Sequence, residues 1–386
     1  MSAATNSFAP FLSRDELIVV GMSGGVDSSV TAYRLKKAGY HVVGVFMKNW
    51  EEKDEDGACT AEQDWRDVQA VCEAIDIPYY AVNFAQEYWD TVFALFLKEY
   101  QAGRTPNPDV LCNREIKFKA FLDYAEQLGA KHIATGHFVQ RRDINEKAHL
   151  VKGSDPNKDQ SYFLYMLKEA QLAKAVFPVG DITKQEVRKI AEEIHLPVST
   201  KKDSTGVCFI GERNFKQFLQ RYLPAQQGDM RSVEGEIVGR HDGLMYYTLG
   251  QRRGLGIGGR GDGRSWFVVD KDLTSNELIV AQGEDSDLLY SRVSRAVDIT
   301  WINDAPMREG ERYICTAKYR YRQPDQRVSV SYANGVLTTV SEEPQRAVTP
   351  GQSLVLYQGD ICLGGAIIAQ VEKGIHSRPH AGQDFQ

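Results

Sequence analysis

The chain has little that would mark a membrane, secreted or zinc-binding protein. Its 386 residues include six cysteines, at positions 59, 72, 112, 208, 315 and 362, and no two of them form a C-x-x-C pair. The spacing therefore offers neither a zinc motif nor a thioredoxin-like site. No apolar run is long enough to span a bilayer, and residues 1–13 lack the basic start and apolar core of a secretory signal. We expect a cytoplasmic protein with no membrane partner.

An excess of positive charge is also missing. The chain carries 46 Lys and Arg against 52 Asp and Glu, for a net charge of −6. Any contact with a nucleic acid must therefore come from local basic patches and not from a global field. Length predicts two or three domains, and 42% hydrophobic with 25% charged residues is typical of globular proteins.

One stretch, residues 17–30, organises the chain. An apolar run of strand length leads into the turn Ser23-Gly24-Gly25, and a helix follows. A strand, a small-residue turn and a helix N-terminus together form an anion site, where backbone N–H groups and the helix dipole favour a phosphate. Asp27 is placed to hold a magnesium ion beside it. No lysine follows the glycines, so this is not the Gly-x-x-x-x-Gly-Lys-Ser/Thr loop.

The order of elements predicts an α/β domain with a parallel, Rossmann-like sheet. Strands are expected at residues 17–21, 41–47, 79–82 and 132–135, with helices at 28–37, 61–75, 88–100, 115–128 and 184–194. Residues 139–143 and 148–152 predict a hairpin, and 196–198 an extended segment. Ligands in such sheets lie beyond the carboxyl ends of the strands.

Composition changes at residues 223–228, which predicts three domains. We expect an α/β domain at 1–222 with a flexible leader at 1–14. A small, glycine-rich, β-rich domain follows at 223–285, and an antiparallel β-barrel at 286–386. In the barrel, residues 317–323 alternate strictly. As a strand they would place Lys318, Arg320 and Arg322 on one face and Tyr319 and Tyr321 on the other. Basic side chains bind phosphates, although core tyrosines in an amphipathic strand fit the pattern equally well.

Two cysteines stand in polar loops, where filler cysteines are uncommon. Cys112 follows a segment with two prolines, which predicts no helix through residues 103–113. Cys208 lies in the small-residue segment 203–211. Helices expected to begin near Glu115 and Asn214 would favour their thiolates. The other four cysteines are expected to be structural.

The motif Ser-Gly-Gly-x-Asp-Ser resembles the PP-loop of the ATP pyrophosphatases, the adenine nucleotide alpha hydrolase-like enzymes. Further motifs follow in order at residues 107–112, 136–137, 158–160, 205–211, 248–258 and 320–323. With them, the chain resembles the tRNA-specific 2-thiouridylases over nearly its whole length. The resemblance implies adenylation of the C2 oxygen of the wobble uridine, position 34, by ATP. Sulfur then arrives from a cysteine persulfide, and AMP and pyrophosphate are released.

The resemblance also implies residue roles. Cys112 would be the nucleophile, Cys208 the persulfide carrier, and Asp109 a general acid or base; a transient Cys112–Cys208 disulfide is implied. ATP would be bound by Gly21, Met22, Ser23, Gly24, Gly25, Val26, Asp27, Ser28, Met47 and Gly136. Asn107, Pro108 and Asp109 would meet the target base, and tRNA would be contacted by His137, Lys158, Asp159, Gln160, Arg320, Tyr321 and Gln352. ATP with Mg²⁺ is implied and a tightly bound cofactor is not. The implied partners are tRNAs with Lys, Glu or Gln anticodons and a sulfur-relay or persulfide donor protein.

Other interpretations fit parts of the pattern. From the residues alone, Met47 fits a core position, His137 a structural one, and 158–160 a solvated helix cap. A PP-loop ligase that joins nitrogen to an activated carbonyl would need neither Cys112 nor Cys208. A nucleotide-dependent tRNA-binding module would not consume ATP. A 4-thiouridine-forming enzyme would usually carry an RNA-binding domain before the loop, where about twenty residues stand here.

Overall fold

The computed structural model describes residues 11–13, 15–50, 60–203, 215–258 and 261–374. Within these ranges no helix has both the length and the apolar content needed to cross a membrane. The expected site residue Cys208 and the expected helix start at Asn214 lie outside the described residues, as does Cys59.

The N-terminal part is built on a parallel sheet, as predicted. Its strands lie in the order β3-β2-β1-β4-β7, and all four pairings are parallel. The strands are β1 (Leu17–Met22), β2 (His41–Lys48), β3 (Tyr79–Asn83), β4 (His132–Ala134) and β7 (Ala175–Val176). Between β4 and β7 the chain forms the expected hairpin, β5 (Val139–Ile144) and β6 (Lys147–Lys152).

Helices cover both faces of this sheet. The described helices up to residue 220 are α1 (Val26–Lys37), α2 (Thr60–Ala74), α3 (Ala85–Tyr88), α4 (Ala94–Gln101), α5 (Pro108–Cys112), α6 (Phe121–Gln127), α7 (Ser161–Leu164), α8 (Glu169–Leu172), α9 (Lys184–Glu193) and α10 (Phe215–Gln220). π-Helical turns at Trp89–Phe93 and Asn113–Ala120 join α3 to α4 and α5 to α6. Alternate residues of β1 enter two different cores, Val19 on one face and Ile18 with Val20 on the other. This arrangement explains why β1 is apolar on both sides.

A four-stranded sheet follows, in the order β10-β11-β8-β9. Its strands are β8 (Gly228–Ser232), β9 (Ile237–His241), β10 (Trp266–Asp272) and β11 (Glu277–Gln282). A short 3₁₀ helix at Leu244–Tyr246 follows β9. This is the β-rich central part that the composition predicts.

The C-terminal part is a closed antiparallel barrel, also as predicted. Its strands are β12 (Tyr290–Trp301), β13 (Arg312–Lys318), β14 (Gln326–Ala333), β15 (Val336–Arg346), β16 (Ser353–Gln358) and β17 (Ile361–Glu372), and a 3₁₀ helix at Asp287–Leu289 precedes β12. The strands lie in the order β12-β15-β14-β13-β16-β17, and β12 pairs with β17 to close the ring. The hairpin β5–β6 adds to β17 through β6, so a piece of the N-terminal part extends the barrel's sheet.

Three local predictions were wrong. Residues 103–113 were predicted to contain no helix, but α5 begins at Pro108. A proline is tolerated at the first helical position because its missing N–H would have no partner within the helix. Residues 197–200 form turns instead of an extended segment. Strand β13 ends at Lys318, so the alternation through Arg322 is not that of a strand, and residues 319–322 form bends and a turn.

Candidate functional site

The glycine turn after β1 is a compact anion-binding loop. Gly25 is the N-cap of α1, and its carbonyl accepts hydrogen bonds from the hydroxyls of Ser28 (3.1 Å) and Ser29 (2.8 Å). The backbone N–H of Ser23 donates to Ser28 Oγ at 3.2 Å, so the loop curls around that hydroxyl. Gly24 has φ +72°, and a Cβ there would stand 2.6 Å from the carbonyl oxygen of Asp64. The shape of the loop thus requires a glycine at Gly24, and the hydroxyls of Ser28 and Ser29 hold the turn.

The other expected nucleotide residues surround this loop. A Cβ on Gly136, just beyond β4, would stand 2.9 Å from the backbone of Asp27 and Ser28. A Cβ on Gly21 would stand 3.0 Å from Cε of Met47, at the end of β2. Met22, the last residue of β1, and Val26, the first of α1, are buried. The structure therefore brings the ten expected ATP residues to one edge of the sheet.

A lysine from a distant helix supplies the positive charge that the loop itself lacks. Lys184, the first residue of α9, is buried, and its Nζ lies 2.5 Å from Asp27 Oδ1 and 2.8 Å from Asp203 Oδ1. Burial raises the pKa of Asp27, against the opposing effect of Lys184. The sequence analysis missed this lysine, because 157 residues separate it from Asp27 and no local motif signals the pairing.

Asp203 joins three cations beside the loop. Besides Lys184 it pairs with Lys158 at 2.7 Å and Arg188 at 2.6 Å. Burial would raise the pKa of Asp203, but its hydrogen bonds with Lys158 and Lys184 outweigh burial and hold it well below its ordinary value. The carboxylate is therefore charged.

A second lysine, Lys201, forms a hydrogen bond with the backbone of the loop. Lys201 Nζ donates to the carbonyl of Gly24 at 3.0 Å, and also to Asp64 Oδ1 (2.8 Å) and Asp67 Oδ2 (2.6 Å) of α2. Burial lowers the pKa of Lys201, but the hydrogen bonds and charges of these two carboxylates raise it by more than burial lowers it. The ammonium therefore stays charged. The sequence analysis missed Lys201 as well, because only the fold brings it to the loop.

Cys112 is more buried than its polar sequence context predicts. It is the last residue of α5, has no exposed surface, and belongs to the core that contains Val45 and Phe121. Because helical backbone runs on through Glu115, no helix N-terminus exists there to favour the thiolate, and that expectation was wrong. Asn107 is the N-cap of α5, Pro108 its first residue, and Asp109 lies half-buried in its first turn.

The remaining described cysteines match the structural role expected of them. Cys72, Cys315 and Cys362 are buried, and burial raises the pKa of each thiol to about 12. Thiols of this kind are inert at neutral pH.

His137 is buried beside the loop residue Gly136. The hydroxyl of Thr135 lies 2.7 Å from its Nδ1, and Phe118 and Phe177 flank the ring. Burial lowers the pKa of His137 well below its ordinary value, and the charge of Lys117 adds to this effect. A neutral imidazole provides no cation for a tRNA phosphate, so charge cannot be its contribution.

The triplet 158–160 is held within the protein. Asp159 is buried; its Oδ1 accepts from the backbone N–H groups of Gly153 and Ser161, and its Oδ2 lies 3.3 Å from Lys318 Nζ. Gln160 Oε1 accepts from the backbone N–H of Phe138 at 2.9 Å. Lys158 forms its ion pair with Asp203. All three side chains of the triplet therefore position neighbouring elements.

The basic stripe expected in the barrel is divided. Lys318 is buried between Asp159 and Asp325, 3.8 Å from the latter, so it faces the N-terminal part and not a phosphate. Tyr319 is buried in the barrel core, and Tyr321 packs 4.4 Å from Phe163, measured between ring centroids. Arg320 is exposed, and its Nη2 donates to the carbonyl of Ala347 at 2.7 Å.

Arg320 and Gln352 line a cleft of about 460 Å³ where all three parts of the chain meet. The N-terminal part contributes Thr105, and Gln352 Nε2 donates to its carbonyl at 2.8 Å. We call this space the three-part cleft; its lining is Thr105, Thr248, Leu249, Gly250, Gln251, Arg320, Thr349 and Gln352. Thr105 stands two residues before Asn107 in the sequence.

Among the described residues, no three His, Cys, Asp or Glu side chains converge as a metal site. Asp27 offers one carboxylate, which suits a magnesium ion bound mainly by phosphates and water.

Three family models match consecutive parts of the chain. They are described as the tRNA methyl transferase HUP domain (residues 16–212), the tRNA methyl transferase PRC-barrel domain (216–282) and the aminomethyltransferase beta-barrel domain (291–368). A solved structure of NMN synthetase from Francisella tularensis covers 53% of this chain and 71% of its own at 18% identity and a TM-score of 0.33, which says nothing about the site.

Curated relatives match over nearly the full length. The tRNA-specific 2-thiouridylase MnmA of Staphylococcus saprophyticus is 59% identical over 362 residues, 93% of this chain and 97% of its own. The protein of the same name from Exiguobacterium sibiricum is 60% identical over 357 residues, 92% of this chain and 94% of its own. Identity at this level over all three parts leaves one conclusion: the chain belongs to the tRNA-specific 2-thiouridylase family.

Proposed function

We propose that the protein is a tRNA-uridine 2-sulfurtransferase that converts the wobble uridine, position 34, to 2-thiouridine. The observation that carries the proposal is the PP-loop with its neighbouring cations in a chain 59–60% identical to named 2-thiouridylases. We place the reaction in the cytoplasm, where tRNA and ATP are available, and propose domains at residues 1–222, 223–285 and 286–386.

The first step activates a poor leaving group. The C2 oxygen of uridine attacks the α-phosphorus of ATP, and the bond to the β-phosphate breaks, giving O-adenylated uridine and pyrophosphate. The loop from Gly21 to Ser28, with Met47 and Gly136, binds the nucleotide. Lys184 stabilises the negative charge that develops on the pyrophosphate. The electrostatic attraction of a buried ammonium for this charge is stronger than that of an ammonium in water. Asp27 would help to hold a Mg²⁺ ion, which would supply charge neutralisation for the phosphates.

The second step delivers sulfur. The terminal sulfur of a Cys208 persulfide attacks C2, and AMP leaves with the former C2 oxygen. The thiolate of Cys112 then attacks Cys208 Sγ, which frees 2-thiouridine and leaves a Cys112–Cys208 disulfide for a thiol reductant. We assign to Asp109, which is half-buried in the first turn of α5, the transfer of a proton at the base, and contacts with the base to Asn107 and Pro108 beside it.

For tRNA we propose contacts through Arg320, Tyr321 and Gln352 at the three-part cleft, with Lys158, Asp159, Gln160 and His137 positioning that surface. Isoacceptors with Lys, Glu or Gln anticodons and a persulfide-bearing donor protein are the proposed partners. Nothing in the proposal needs a tightly bound cofactor.

The test uses tRNA whose uridine carries heavy oxygen at C2. With ATP and a persulfide donor, we expect AMP bearing the label, unlabelled pyrophosphate, and 2-thiouridine by nucleoside mass analysis. ADP and phosphate as products would overturn the adenylation step.

Cysteine variants separate sulfur chemistry from activation. Cys112→Ser should load sulfur on Cys208 but form no thiouridine, and Cys208→Ser should lose persulfide loading while tRNA adenylation continues. Cys72→Ser, at a buried cysteine far along the chain from both, is the control. Wild-type thiolation by both active-site variants would favour another sulfur route. ATP consumption that is unchanged in both variants and is never accompanied by thiouridine would favour a nitrogen-transferring ligase. ATP-dependent tRNA binding without ATP consumption would favour a binding module.

A further inference from the structure

The segment before α5 is held by a lysine from the central sheet. Gly103, two residues beyond the end of α4, has φ +71°, and its carbonyl oxygen accepts a hydrogen bond at 3.0 Å from Nζ of Lys271 in β10. A Cβ on Gly103 would stand 2.7 Å from Cδ2 of Leu273, so the turn after β10 packs directly on this glycine. Lys271 therefore binds the chain just beyond the C-terminus of α4, where the helix dipole favours a cation.

Lys271 lies at a junction of all three parts of the chain. Its side chain is half-buried, and desolvation lowers its pKa to about 8, so most of the lysine is charged at pH 7. Asp270, its neighbour in β10, pairs with Lys373, which follows the barrel strand β17, and 2.5 Å separates Oδ2 from Nζ. The strand that carries Lys271 is thus itself connected to the barrel.

The barrel holds the same segment two residues further on. The backbone N–H of Thr105 donates to the carbonyl of Pro350 at 3.0 Å, and Gln352 Nε2 donates to the carbonyl of Thr105 at 2.8 Å. A Cβ on Gly351 would stand 2.9 Å from the backbone of Thr105, so the two chains lie in close contact. Residues 103–105 are therefore held at one end by the central sheet and at the other by the barrel.

Prolines make the chain stiff between these contacts and the base-binding residues. The rings of Pro106 and Pro108 fix φ, and the residues that precede them, Thr105 and Asn107, are restricted in turn. A displacement of the held segment is therefore passed on to Asn107 and Asp109, because few backbone torsions between them can absorb it.

We propose that Lys271 is a positioning residue for the base-binding segment: by holding Gly103, it sets where Asn107 and Asp109 stand toward the target uridine. The proposal rests on the proposed function, which assigns contacts with the base to residues 107–109. It gives the central sheet a part in the reaction, although none of the ten expected ATP residues comes from that sheet.

The first measurement is hydrogen–deuterium exchange in the intact protein, which requires no activity. Lys271→Met should lose protection of the amides in residues 103–112 and keep wild-type exchange in residues 17–30, around the nucleotide loop. Lys271→Arg, which keeps a charged donor, should restore most of the protection. Arg240→Met is the matched control, because it removes an exposed cation from β9, the opposite edge strand of the same sheet. It should keep wild-type exchange in both regions.

The second measurement is the single-turnover rate of pyrophosphate release at saturating tRNA and ATP. Misplacement of reacting groups by about 1 Å can cost roughly a hundredfold in rate, so we expect Lys271→Met to lower this rate about tenfold to a hundredfold. The affinities for ATP and for tRNA should stay at their wild-type values, because the nucleotide loop and the three-part cleft keep their residues. In an Asn107→Ala background the same change should lower the rate less than about twofold, because both residues act through one contact.

Wild-type exchange over residues 103–112 in Lys271→Met would overturn the proposal, and so would effects of Lys271→Met and Asn107→Ala on the rate that simply multiply. Should Lys271→Met fail to fold, Leu273→Ala decides, at a side chain that is 56% exposed. We expect the same local loss of protection there, and unchanged or uniformly reduced protection in that variant would also overturn the proposal. Absence of pyrophosphate release by the wild type would instead count against the proposed function, because the exchange data test the contact of Lys271 independently.

Discussion

At the scale of single residues, charge around the nucleotide loop is arranged by side chains from far along the sequence. The loop motif at residues 23–28 could be predicted, because Gly24 and the serine hydroxyls are local requirements of the turn. The roles of Lys184 and Lys201 could not be predicted. A lysine at a helix start and one just after a turn are ordinary surface residues until the fold brings them to Asp27 and Gly24. His137 is a different case: the resemblance implies a tRNA contact, which stays a prediction, and the fold buries the ring and holds its pKa well below the ordinary value.

The buried imidazole of His137 should make stability depend on pH. Because its folded pKa lies below the unfolded value of about 6.5, the unfolded chain binds more protons as pH falls, and the free energy of unfolding falls with it. We expect His137→Gln to lose less stability than the wild type between pH 7 and pH 5, by about 1–2 kcal/mol. Urea unfolding at both pH values measures this difference. Equal losses in the two proteins would mean that His137 is protonated in the folded state.

At the scale of elements, the strand–turn–helix unit after residue 17 was predicted more accurately than the boundaries of the later helices. The strand, turn and helix of residues 17–37 lie where the pattern places them, because glycine is required at Gly24 and the apolar run needs both faces buried. The helix after Pro106 was missed, because Pro108 starts the helix instead of ending it. The prediction of a helix N-terminus near Glu115 was wrong for the same reason, because the helical backbone already begins at Pro108. The end of β13 at Lys318 could not be predicted from the sequence either, because the alternation of basic residues and tyrosines continues into the bend that follows the strand.

The two glycines of the loop should differ in their tolerance of alanine. Gly24 has φ +72° and meets a backbone oxygen, whereas Gly25 has φ −97° and its nearest neighbour is 3.4 Å away. We expect Gly24→Ala to cost at least about 1–2 kcal/mol of stability for the left-handed backbone alone, and to abolish ATP binding. Gly25→Ala should change the free energy of unfolding little. Denaturant unfolding of both variants, with nucleotide titration, makes the comparison, and similar losses would show that the loop adopts another shape.

At the scale of the whole molecule, the barrel is joined to the α/β part through its sheet and through buried charge. The hairpin β5–β6 was predicted, but nothing in its sequence signals that β6 pairs with β17, because that pairing is a contact between distant segments. Lys318 reaches Asp159 across the same junction. Lys318 and Asp159, which were expected to contact tRNA, therefore link the barrel to the α/β part.

Removal of the Lys318 charge should weaken the junction strongly. Asp159 is nearly completely buried, so Lys318→Met leaves a buried carboxylate with its main cation missing, at a cost of about 3–5 kcal/mol. Lys147→Met, which removes an exposed pair with Asp304, should change stability little. Thermal and urea unfolding of the two variants test this. If both cost equally little, the Lys318 contact contributes nothing to the attachment of the barrel.

The three-part cleft gives the last prediction, which concerns tRNA affinity in a chain of net charge −6. Affinity must be local, and Arg320 is the exposed cation that lines the cleft beside Gln352. Each phosphate contact contributes nearly one unit to the slope of log affinity against log salt concentration. We expect Arg320→Ala to weaken tRNA binding and reduce that slope by about one unit, with nucleotide affinity unchanged. Arg322→Ala, two residues away, exposed and outside the cleft lining, is the matched control and should leave the slope nearly as it is. Filter binding across a salt series measures both. An unchanged slope in Arg320→Ala together with a reduced one in Arg322→Ala would move the tRNA surface out of the cleft, to the outer side of the bend that follows β13.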